Sequence, residues 1–216
     1  MKYKVAIFDF DGTLVNSIKG IAKAVNETLK VLGKKEYTIK EVETFVGYGA
    51  EVLFLKAFKL DKLDATSMPL YNLFMVNYLK YQIDNLEVYE GINGLLKDLN
   101  EVGTKIIIYS NKPDKILKAC CHKLWKNIEF FGIFGNDVGF VAKPDCTMIK
   151  EFLDKNNINV KDVIYAGDSR VDILFGKNLG CDVISCGYGY NDKNVLLAEK
   201  PTYFIEKSVK LRDILL

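Results

Sequence analysis

The stretch Val5-Ala6-Ile7-Phe8-Asp9-Phe10-Asp11-Gly12-Thr13-Leu14 constrains the fold more than any other. A near-continuous apolar run ends there in two carboxylates one residue apart, followed at once by glycine and threonine. Such a run reads as a strand buried on both faces, the habit of parallel sheets covered by helices. In open α/β sheets, ligands bind beyond the carboxyl ends of the strands, where Asp9 and Asp11 would sit. An ionised carboxylate taken out of water without a partner is strongly destabilised or takes up a proton, so the pair needs a counter-charge, and a divalent cation is the simplest. Gly12 lets the chain turn and approach a ligand, and Thr13 adds a hydroxyl and its own N–H. Asp11-Gly12 also suits a plain Asx-type turn, so the rest of the chain has to decide.

The remainder reads as an α/β chain interrupted once. From Ser17 to Leu32 the apolar residues Ile18, Ile21, Ala22, Val25, Leu29 and Leu32 follow helical spacing, with Gly33 as the stop. Thr38-Ile39-Lys40-Glu41 is a capping box that opens a second helix. After Gly47-Tyr48-Gly49, further helices are expected over 52–60 and 66–82, the last carrying an aromatic stripe (Tyr71, Phe74, Tyr78, Tyr81) that suits a core. Residues 16–82 therefore read as an inserted helical cap, and residues 1–15 and 83–216 as the α/β core. In the core, strands are expected at 104–109, 163–166 and 182–186, with helices at 91–100, 114–124, 145–155 and 170–179 and a short strand around Val138–Val141. This rhythm predicts a doubly wound, Rossmann-like parallel sheet.

Bulk properties narrow the partners. The 216 residues carry a formal charge of +2 without a block of like charges, so neither nucleic acid nor a membrane surface is an expected partner. The N-terminal apolar run is cut by Asp9 and Asp11, so we expect no signal peptide or spanning helix, and a cytoplasmic protein. Cys120, Cys121, Cys146, Cys181 and Cys186 lack metal or disulfide spacing and read as reduced thiols. His122, the one histidine, sits in a Lys-rich helical segment and reads as structural, so acid-base chemistry must use carboxylates.

Four polar clusters fall at predicted strand ends or beside them: Asp9 with Asp11, Ser110 with Asn111, Lys143, and Asp168 with Asp172. In that order, with a helical insert after the first, they resemble the four motifs of the haloacid dehalogenase superfamily in its phosphatase form, over nearly the whole chain. The Val46-Gly47-Tyr48-Gly49 turn, the Gly187-Tyr188-Gly189 loop and the Pro201-Thr202-Tyr203 tail resemble the phosphoglycolate phosphatase-like group. Glu90 and Cys146 stand where the family often has proline, which bears on the subgroup and not on the chemistry.

The resemblance implies roles. Asp9 is the nucleophile that forms an aspartyl-phosphate, and Asp11 the general acid and then base, which asks for a carboxyl pKa raised by its surroundings. Mg²⁺ is held by Asp9, the Asp11 carbonyl and Asp168, with Asp172 nearby through water or behind the ligands; oxygen donors without His or Cys suit this ion. Thr13, Ser110, the Asn111 N–H and Lys143 bind the phosphoryl oxygens. Tyr48 of the cap turn is the expected substrate contact, while Lys56 reads as a solvated charge. The expected substrate is a small phosphorylated metabolite, phosphoglycolate-like or a sugar phosphate. A phosphomutase of the same superfamily is the alternative, and a non-catalytic binding module a third reading. The leaving group and the oligomeric state have no sequence code to read.

Overall fold

A computed structural model describes residues 2–136 and 141–216. Along the chain, β1 (Val5–Phe8) and β2 (Val15–Asn16) precede α1 (Ile18–Val31), α2 (Ile39–Glu43), α3 (Ala50–Phe58) and α4 (Met68–Asp84), and β3 (Glu87–Val88) follows them. Strands and helices then alternate through α5 (Ile92–Glu101), β4 (Lys105–Pro113), α6 (Asp114–Leu124), β5 (Gly132–Asn136), α7 (Thr147–Lys155) and β6 (Val163–Gly167). The chain ends with α8 (Arg170–Leu179), β7 (Asp182–Cys186), α9 (Lys193–Ala198), β8 (Tyr203–Ile205) and α10 (Leu211–Leu215).

The main sheet has the order β5-β4-β1-β6-β7-β8, with every pairing parallel. After β1 the chain winds outward through β4 and β5, returns to β6 and winds the other way. The reversal falls between β1 and β6, the crevice where ligands of doubly wound sheets bind. Alternation along the strands explains the two-sided core. Ala6, Phe8, Ile106, Ile108, Ile164 and Ala166 face one layer of apolar side chains, and Val5, Ile7, Ile107, Val163 and Tyr165 face the other. The second layer takes Ile149 and Leu153 from α7 and Phe175 from α8.

The four helices from Ile18 to Asp84 stand between β2 and β3, which pair antiparallel through Val15–Val88 and Asn16–Glu87. The chain thus leaves the core and returns to it at one narrow ribbon. The capping box at Thr38 and Glu41 forms as the sequence predicts. Part of the aromatic stripe packs inside the insert, where the Phe54 ring lies 4.6 Å from Phe58, 5.2 Å from Tyr71 and 5.6 Å from Phe74, while Tyr78 lines the cavity described below and Tyr81 is half-buried.

Three boundaries differ from expectation. β4 runs on past Tyr109 through Ser110-Asn111-Lys112. α7 starts at Thr147, because the Asp145 carboxylate accepts the Thr147 N–H at 2.9 Å and caps the turn before it. β5, with two glycines in five residues, has too little alternation to be read from sequence. The strand expected around Val138–Val141 lies outside the described residues except for Val141, which belongs to no element. Among the described residues no helix is long and apolar enough to cross a membrane.

Candidate active site

Asp9 follows β1 directly, and its N–H donates to the Ala166 carbonyl of β6 at 2.9 Å. Asp168 follows β6, so the two carboxylates stand on adjacent strands at the reversal of the sheet. Two glycines make room for Asp168. Gly12, at φ +82°, and Gly189 are both packed so closely against its side chain that a Cβ at either position would overlap it. The Gly187–Gly189 loop also carries Tyr190, whose N–H donates to Asp168 Oδ2 at 2.7 Å.

Lys143 reaches this point from the loop before α7. Its Nζ donates to Asp9 Oδ1 at 2.8 Å, to Asp172 Oδ1 at 2.6 Å and to the Tyr165 hydroxyl at 2.9 Å. Asp172 is the third residue of α8 and closes its capping box. Its Oδ2 accepts from the Ser169 N–H at 3.0 Å and the Ser169 hydroxyl at 2.5 Å, while Tyr165 donates to Oδ1 at 2.6 Å. With both oxygens committed to protein donors, Asp172 stands behind Lys143 and orients it.

Asp9, Asp168 and Asp172 each offer an oxygen within 4.8 Å of the others, all three residues buried. Burial, opposed by Lys143, pushes the Asp9 carboxyl up to about 6. Burial, aided by the charges of Asp172 and Asp9, holds Asp168 well above the usual carboxylate range. Burial alone would lower Lys143, but Asp172 and Asp9 outweigh it and hold its ammonium above the ordinary lysine value. One ammonium therefore faces three desolvated carboxylates. A hard divalent cation between Asp9 and Asp168 would complete the neutralisation, so the residues fit Mg²⁺.

Asp11, also in the cavity wall, is bound by Lys112, which sequence reasoning missed. Lys112 Nζ lies 3.1 and 3.0 Å from the two Asp11 oxygens and 3.4 Å from the Tyr78 hydroxyl, and it also donates to Gln82 Oε1. Its side chain is 0% exposed. Ser17 donates to Asp11 Oδ1 at 2.5 Å. Tyr78 and Gln82 belong to α4, so this lysine of the core lies at the seam with the helical insert. No sequence signal marked it: β4 is irregular between Tyr109 and Pro113, and Ser110, Asn111 and Lys112 all line the cavity.

The other predicted residues divide. Ser110 and Asn111 line the cavity, and Asn111 links both halves of the molecule: Nδ2 donates to the Gly47 carbonyl at 3.0 Å, and Oδ1 accepts the Lys143 N–H at 2.8 Å. Thr13 is fully buried, and its hydroxyl has no hydrogen-bond partner among the described residues. The Tyr48 ring is 44% exposed, lies 4.8 Å from the Lys56 ammonium and is not part of the cavity wall. It is Gly47 and Gly49 beside it that face the cavity. The cavity measures about 30 Å³ and is walled from the insert by Val46, Gly47, Gly49, Ala50, Leu53 and Tyr78.

A family model described as haloacid dehalogenase-like hydrolase matches residues 6–186. The chain belongs to the haloacid dehalogenase-like hydrolases. Among the relatives of this hydrolase, a phosphoglycolate phosphatase from Psychrobacter arcticus is 30% identical, over 100% of this chain and 97% of its own length. Phosphoglycolate phosphatase 1 from Pseudomonas aeruginosa is 30% identical, over 98% of this chain and 78% of its own. Among solved structures, a predicted phosphoglycolate phosphatase from Haemophilus somnus matches 100% of this chain and 99% of its own, with TM-score 0.82 and 25% identity. The hydrolase thus falls in the phosphoglycolate phosphatase-like group, as its motifs imply.

The raised Asp9 carboxyl gives this hydrolase a pH signature without metal. The folded state holds a proton on Asp9 that the unfolded chain, with its ordinary carboxyl value of 3.8, has already released. The native state then binds more protons between about pH 4 and pH 6, so this group's contribution to stability falls as pH rises through that window. We expect the melting temperature of metal-free protein, taken relative to Asp9→Asn, to decline from pH 4 to pH 6. A flat difference would mean that Asp9 is not desolvated.

Proposed function

We propose that the chain is a Mg²⁺-dependent phosphatase that hydrolyses a small phosphorylated metabolite through an aspartyl-phosphate on Asp9. The observation that carries this reading is the pairing of Asp9 with Lys143 at 2.8 Å beside Asp168, in an acidic cavity under the helical insert. The names of the relatives support a phosphoglycolate-like ester. Residues 1–15 and 83–216 serve as the catalytic core and 16–82 as its cap, in a cytoplasmic enzyme.

In this reading an Asp9 carboxylate oxygen attacks phosphorus, the ester P–O bond breaks, and Asp11 protonates the departing alkoxide. Asp11 then takes a proton from water, which attacks the phosphoryl group and releases inorganic phosphate and free Asp9. Lys143, Ser110, the Asn111 N–H and Thr13 receive the phosphoryl oxygens, with Asp172 fixing the direction of Lys143. Asp9, Asp168 and the Asp11 carbonyl would hold Mg²⁺, which when bound would supply the further positive charge that lets a phosphate dianion approach carboxylates. Cap closure excludes bulk water from the acyl phosphate.

The test is phosphate release from a panel of small phosphate monoesters, with Mg²⁺ and with chelator. We expect turnover with Mg²⁺ and a loss of at least about 100-fold on chelation. Rearrangement of a sugar phosphate without release of phosphate would favour the mutase alternative, and silence on every ester would end the reading.

A further inference from the structure

We infer that Lys112 is the specificity residue for a carboxylate on the leaving group, which it would bind in the position now held by the Asp11 carboxylate. This rests on the phosphatase reading above and names the residue that selects its substrate class. Two cations line the cavity among the described residues, and they hold different carboxylates. Lys143 is engaged by Asp9 and Asp172 on the side of the nucleophile. Lys112 faces the insert through Tyr78 and Gln82, the side on which the part of a substrate beyond its phosphoryl group would lie.

The present occupant of Lys112 is itself a carboxylate. Asp11 presents both oxygens to Nζ at 3.0 and 3.1 Å, and Ser17 takes up one of them as well. To protonate the leaving oxygen in the proposed reaction, the Asp11 carboxyl has to exchange these partners for that oxygen. Its departure would leave an ammonium that is 0% exposed without a counter-charge, an arrangement strongly penalised in a protein interior. The Gln82 amide oxygen and the Tyr78 hydroxyl stay behind as neutral partners, so the place is preformed for an incoming carboxylate. A substrate that brings its own carboxylate releases Asp11 for proton transfer by exchange. One with a neutral leaving group strands Lys112.

The experiment compares phosphoglycolate with 2-hydroxyethyl phosphate, which carries a hydroxymethyl group where the former has a carboxylate, in wild type and in Lys112→Met, both with Mg²⁺. A charge-assisted pair predicts a wild-type preference for phosphoglycolate of about 10- to 100-fold in kcat/KM. In Lys112→Met the ratio should fall to within about threefold of one, the loss appearing in KM for phosphoglycolate, as expected for uniform binding. Lys112→Arg should retain most of the preference, and Lys112→Gln stands in should the methionine variant not fold. An unchanged ratio, or an equal loss of kcat on both esters, overturns the inference and assigns Lys112 to Asp11 alone. Wild-type failure on both esters, and on the wider panel, would remove the phosphatase reading beneath it.

Discussion

Asp9→Asn should lose at least about 10⁴-fold in phosphate release, measured as kcat on the best ester of the panel, while the chain becomes no less stable. The two halves of this expectation have one cause. Asp9 is buried, and desolvation already pushes its carboxyl up to about 6. An amide of the same shape removes a charge that the fold holds at a cost, and its oxygen still accepts the Lys143 proton that Asp9 Oδ1 accepts at 2.8 Å. The amide is nevertheless a poor nucleophile, and without a covalent acceptor the remaining groups can only orient the ester. Preserved activity in this variant would rule out the aspartyl-phosphate. A collapse of the melting temperature would show that the charge of Asp9 supports the fold, against the geometry.

Lys143→Met should have the opposite signature, a large loss of stability in metal-free protein. The lysine side chain is 2% exposed and bridges Asp9 to Asp172, whose side chains are 10% and 1% exposed. Removing one partner of a buried ionic set leaves the others uncompensated, at about 3–5 kcal/mol. For a chain of this size that amounts to roughly 10 °C in melting temperature. Part of the loss should return when Asp172→Asn is added, since the second change removes the charge that the first exposed. Mg²⁺ should raise the melting temperature of the single variant more than that of wild type. A variant that melts within a degree or two of wild type would mean that water reaches the carboxylates and that the site is not dry.

The sequence disclosed the scaffold because the apolar runs are long and the punctuation is strong. Val5–Phe8, Ile106–Tyr109 and Val163–Ala166 are strands buried on both faces, and Asp9, Ser110 and Asp168 at or beyond their ends line the cavity. Asp9, Lys143, Asp168 and Asp172 meet as their spacing implies, since a parallel sheet brings successive strand ends to one rim. What stayed hidden depends on contacts across the chain. Lys112 becomes informative only once α4 lies over β4, and the Tyr165 hydroxyl only once α8 turns Asp172 towards it. Tyr48 drew notice because two glycines flank it, but those glycines bring backbone to the cavity and leave the ring outside. The ribbon of β2 and β3, two residues in each strand, is too short for any periodicity to show.

Asp172 has the widest consequence. One carboxylate starts the α8 helix through Ser169 and aims the Lys143 ammonium, so secondary structure and the direction of that lysine share a single atom group. The two properties cannot drift apart. Selection acting on either one constrains the other, and redesign of the lysine's surroundings is at the same time redesign of how a ten-residue helix begins. Amide protection at 169–173 would then serve as a gauge of how the Lys143 ammonium is aimed, legible without any substrate at all.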